Sequence, residues 1–146
     1  REKMKKIILA VLIIFLTGCT STEDFTRTCH TNVSSQDLNE KEIMKVNFNN
    51  KDKLTNVIIT RKYKAKGNNG NIAIANIQQS SEDYNNALLT KKGIKISITK
   101  DTEEEYVIKY YIDVPNADKD ILEIFNLQEN SIKFFNKMRE NNIECQ

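Results

Sequence analysis

The chain holds one histidine, His30, and it directly follows one of three cysteines, Cys29. A thiol beside an imidazole suggests a nucleophile and its base. The surrounding residues argue against that pairing. Phe25, Arg27, Cys29, Thr31 and Val33 alternate with Thr26, Thr28, His30 and Asn32, which is a strand pattern, and neighbours on a strand point to opposite faces. Glu103, Glu104 and Glu105 form the one acidic run. Consecutive residues entering a strand cannot converge on a cation, so the run reads as a solvated turn and no metal or cofactor is expected. Tyr106 and Tyr110 could offer an aromatic platform, but they share an apolar stripe with Ile108 and Ile112 and read as core. Arg61, Lys62, Lys64 and Lys66 make a local basic cluster. Such a cluster can touch anionic lipid or wall polymer, or serve as a charged strand end that keeps an edge from pairing. The chain has no HExxH, no GxSxG, no P-loop and no Cys/His spacing suited to a metal, so no catalytic residue is assigned.

The remaining cysteine, Cys19, has a distinctive approach. Arg1, Lys3, Lys5 and Lys6 precede an apolar run from Ile7 to Leu16, the order of a secretory signal with Met4 as its expected start. Ten helical residues reach about 15 Å against a hydrocarbon core of about 30 Å, too short for a permanent span. Leu16-Thr17-Gly18-Cys19 then resembles the lipobox of bacterial lipoproteins. The resemblance implies that Leu16, Thr17 and Gly18 are read by the signal peptidase, that residues 1–18 are removed, and that Cys19 carries the diacylglycerol, with further acylation such as palmitate. Several buried acyl chains hold a domain at a membrane far better than one. Residues 19–24 read as the lipidated tether, and residues 25–146 as a single folded domain.

With Cys19 assigned to lipid, Cys29 and Cys145 remain, one near each end of that domain. Outside the cytoplasm such a pair reads as a disulfide. Residues 1–18 also hold four of the 22 basic and one of the 20 acidic side chains, leaving 18 against 19, a net of −1. That balance offers no large basic field, and nucleic acid is not an expected partner.

The elements that must position these residues follow from periodicity. Strands are expected at Phe25 to Val33, at about Glu42 to Phe48, and at Leu54 to Ala65 with Val57, Ile59 and Tyr63 inward. Gly67-Asn68-Asn69-Gly70 breaks the pattern. Ile74, Ile77, Ser81, Tyr84 and Leu88 then recur at helical spacing, with Gly93 as the stop, while the alternation of Ile72 and Ile74 leaves a prolonged strand as the other reading of Asn71 to Ile77. Ile94, Ile96 and Ile98, followed by Tyr106, Ile108, Tyr110 and Ile112, predict an antiparallel hairpin with one buried face. Beyond Pro115, Asp118 or Asp120 can cap a short helix burying Ile121, Leu122, Ile124 and Phe125. Ser131 can cap a last helix burying Ile132, Phe135 and Met138, and an extended end returns Cys145 toward Cys29. The order β-β-β-α-β-β-α-α predicts a two-layer α+β domain, an antiparallel sheet of about five strands with helices on one face.

Taken together, Leu16 to Cys19, Thr28-Cys29, Gly93-Ile94 and Glu144-Cys145 resemble the YehR-like small bacterial lipoproteins over residues 4–146. The resemblance implies a lipobox followed by one compact α+β domain, and it supplies no catalytic residues. The expected protein is therefore a non-enzymatic, lipid-anchored domain outside the cytoplasm, bound to the cell membrane through Cys19. An envelope protein or a small ligand is the further candidate partner. The abundance of Asn and Lys favours a Gram-positive host. The alternative class is an envelope enzyme using Asp and Glu residues that spacing does not identify.

Overall fold

The computed structural model describes residues 23–146. Leu16, Thr17, Gly18 and Cys19 lie outside them. The β-branched and aromatic runs form β1 (Phe25–Ser34), β2 (Leu38–Phe48) and β3 (Leu54–Ala65), joined by tight connections. The first helix, α1 (Gly70–Leu89), follows the glycine-rich break, and β4 (Ile94–Asp101) and β5 (Glu105–Asp113) make the expected hairpin. A 3-10 turn at Val114–Asn116, α2 (Lys119–Ile124), α3 (Ser131–Glu140) and the two-residue β6 (Glu144–Cys145) complete the chain. The sheet has six antiparallel strands in the order β4-β5-β3-β2-β1-β6. The sixth strand is the one that the extended C-terminal end becomes when it pairs with β1: Thr28 and Gln146 exchange two backbone hydrogen bonds of 2.8 Å.

Directly opposed residues of antiparallel strands share a face, so the register sorts every side chain. Val46, Val57 and Ile112 stand in one row, and Met44, Ile59 and Tyr110 in the next. All six are buried. Side chains of the helical half meet this face: the Phe48 ring lies 5.8 Å from Phe134 and 5.7 Å from Phe135, and Tyr110 lies 5.3 Å from Phe125. These buried residues form one hydrophobic cluster. Among the described residues, sheet and helices both contribute to this cluster.

The helices differ from expectation in which residues face inward. Tyr84 is 39% exposed and Asn85 takes the buried place one position on. The stripe Ile74, Ile77, Ser81, Asn85, Leu88 drifts with the 3.6-residue period, and a buried amide is accommodated there because the Tyr110 hydroxyl donates to its Oδ1 at 3.1 Å. In α2, Ile121 and Phe125 are buried while Ile124 is exposed. In α3, the cap is Asn130, whose side chain accepts from the Lys133 amide. Phe134 faces inward, its ring 5.8 Å from Phe48, and Ile132 is 70% exposed. Gly93 adopts φ +75°, and a Cβ there would lie 2.3 Å from the Ala117 Cα. Only glycine allows that approach at the entry to β4.

Candidate binding surface

Cys29 and Cys145 are opposed in the β1–β6 register, with their sulfurs 1.98 Å apart in a disulfide. Cys29 is therefore committed as half of a crosslink and is 1% exposed. His30 lies on the opposite face, across from Glu144. Tyr106 and Tyr110 are buried core residues. Burial pushes the Tyr110 phenol up to about 12, and burial together with the Glu40 charge does the same to Tyr63. Among the described residues no group of His, Cys, Asp and Glu is placed to hold a metal ion.

The basic cluster of β3 is split by strand alternation. Arg61 turns to the core side, where its Nε donates to Glu42 at 2.7 Å and its guanidinium lies 5.4 Å from the Tyr110 ring centre. Burial opposes the Arg61 charge, but the hydrogen bond and field of Glu42 outweigh it and hold the pKa above its ordinary value. Lys62 and Lys64 point the other way. There they join lysines from strands distant in sequence: Lys41 opposes Lys62, which opposes Val107, which opposes Lys100. The next row runs Ile43, Thr60, Lys109, Ser97, and the next Lys45, Ile58, Tyr111, Lys95.

The strands of this face thus carry seven lysines, two each on β2, β3 and β4 and one on β5, against Glu105, Asp113 and Glu144, and Glu103 and Glu104 of the β4–β5 turn sit beside Lys64 and Lys100 at its rim. Six of the seven are exposed and Lys109 is half-buried. Glu105 sits in their field. The hydrogen bond from Lys100 holds its carboxyl below the usual range, and the charges of Lys64 and Lys62 add to the effect. Val107 is only 7% exposed although it lies outside the core cluster. It stands between Lys62 and Lys100 in the register, where long lysine side chains can cover apolar surface with their methylenes while the ammonium heads stay in water. Sequence reasoning missed this surface because net charge averages it away. Only the strand register brings Lys41, Lys62 and Lys100 into one row.

On the other side of the sheet, a groove of about 680 Å³ runs between α1 and β4. Three of its polar members are engaged internally, as Gln78 donates to Asp101 at 2.6 Å and to the Thr102 carbonyl at 3.1 Å and Asn85 accepts from Tyr110, whereas Gln79, Glu82 and Asn86 line it as well. The lysine face, whose cations are mostly free of partners within the sheet, is the more available surface. No helix among the described residues is long and apolar enough to cross a membrane. Searches of family models, curated proteins and solved structures find no match to this chain.

Proposed function

We propose that the chain is a lipid-anchored protein of the cell envelope that faces outside the cytoplasm and acts by binding. In this reading residues 1–18 are the signal, residues 19–24 the tether from Cys19, and residues 25–146 one two-layer domain with its helices on one side of the sheet. The observation that carries the reading is the Cys29–Cys145 disulfide. Such a crosslink belongs to an oxidising compartment, which is where the basic start, short apolar run and Leu16-Thr17-Gly18-Cys19 would send the chain. Its sequence separation of 116 residues closes almost the whole domain. The lysine-rich face of the sheet, most of whose cations are exposed, favours a binding role.

Membrane fractionation of cells expressing the full chain tests the tether. The parent protein is expected in the membrane fraction as an acylated species, and Cys19→Ala as unprocessed precursor or as released protein. Acylated, membrane-bound Cys19→Ala protein would overturn the reading. Non-reducing peptide mass spectrometry of the same material is expected to show Cys29 linked to Cys145.

A further inference from the structure

We infer that the open face of the sheet is a docking surface for a bilayer containing anionic lipid. The argument begins with charge. Seven lysines stand on one face against three acidic residues of its strands and Glu103 and Glu104 at its rim, an excess of positive charge in a chain whose net charge is close to zero beyond its first 18 residues. The charges are therefore segregated, and the field of this face is opposite in sign to that of the rest of the domain. Solubility alone does not require this arrangement. Lys41 directly opposes Lys62 across β2 and β3, and like charges in that position destabilise a sheet. An anionic partner reverses that repulsion.

The shape and chemistry of the face suit a bilayer. Six strands about 4.8 Å apart make a surface about 24 Å wide, broad enough to meet several headgroups together. Val107, Ile43 and Ile58 lie among the lysine stems, so the ammonium heads project beyond an apolar floor. A nucleic acid would call for stacking partners, but Tyr111 is the one aromatic residue that β2, β3, β4 and β5 place on this face. Placement fits as well, and here the inference rests on the proposed tether. From Cys19 to Phe25 an extended chain reaches only about 20 Å, which keeps the face within reach of the membrane. Acyl chains combined with a polybasic surface form the two-signal arrangement that makes peripheral attachment stable.

The test removes the anchor so that the face is measured alone. Residues 23–146, which carry the disulfide and whose cooperative urea unfolding is verified first, are mixed with vesicles of phosphatidylcholine alone or of phosphatidylcholine and phosphatidylglycerol in equal parts, and the bound fraction is read by sedimentation. Binding is expected only to the anionic vesicles, and it should weaken as salt rises. The triple variant Lys45→Gln, Lys62→Gln, Lys109→Gln should lose roughly a hundredfold in affinity. The triple variant Lys45→Arg, Lys62→Arg, Lys109→Arg should retain it, and Lys51→Gln, Lys119→Gln, Lys133→Gln, which lie off the face, should stay within about threefold of the parent. Far-ultraviolet circular dichroism verifies that each variant is folded. Equal binding to neutral vesicles, equal loss in the two glutamine triples, or binding to polyphosphate or DNA without binding to anionic vesicles would each overturn the inference. Because no anchor is present, these outcomes are independent of the Cys19→Ala result.

Discussion

The two faces of the sheet are built from the same strands and differ by one residue of offset, yet they follow different rules. The middle of the core face is closed by Val46, Val57, Ile59 and Ile112, and polar groups there are matched, Arg61 with Glu42 and Tyr110 with Asn85. On the open face like charges stand opposite one another, and apolar residues are shielded mainly by neighbouring stems. The first face is organised to hold the chain together, whereas the second tolerates repulsion that folding alone would not favour. That tolerance is the ground for assigning the open face, in the inference above, to an anionic partner.

The contrast can be broken from either side, and the largest effect is expected in the core. Phe48 is fully buried and packs against Phe25, Phe134 and Phe135. Phe48→Ala should cost about 4 kcal/mol, read from urea unfolding monitored by circular dichroism. A loss below about 1 kcal/mol would mean that the aromatic cluster does not join sheet to helices as described. Tyr110→Phe removes the hydroxyl from Asn85 and should cost about 1–2 kcal/mol. It should also change the alkaline limit. Tyr63 and Tyr110 have phenols raised from 10.0 to about 12, so their contribution is complete below pH 10 and is lost as pH rises through the folded values. A pH titration of stability should therefore fall between pH 10 and 12, less steeply in Tyr110→Phe. The smallest effect belongs to the open face: Lys62→Gln or Lys109→Gln should change stability by less than about 0.5 kcal/mol. A larger loss would make those lysines structural and remove the contrast.

How far the sequence could be read follows the same division. The hairpin of β4 and β5 is legible because Ile94, Ile96 and Ile98 and then Tyr106 to Ile112 alternate strictly, a local signal that packing preserves. The inward residues of β3 are legible for the same reason. The helices were harder, because a stripe one residue to either side satisfies the period almost equally well. Asn85 in place of Tyr84 and Phe134 in place of Ile132 were decided by what lay opposite them, a phenol and a phenyl ring. The disulfide was legible from cysteine arithmetic. The lysine face had no local signature, since its members come from four strands and meet only when those strands are in register. An Arg-Lys-Tyr-Lys run suggested one basic cluster, and strand alternation sent its members to two different sides.

The short final strand also has a mechanical consequence. A pull on the residues ahead of β1 enters the sheet at Phe25 and travels four residues to Cys29, where the bond to Cys145 divides it between the first strand and the last. Peeling β1 from the sheet beyond that point would drag β6 and the end of α3 with it. The load path thus meets a covalent link four residues into the sheet, and beyond it the first and last strands bear a pull from the N-terminal end together.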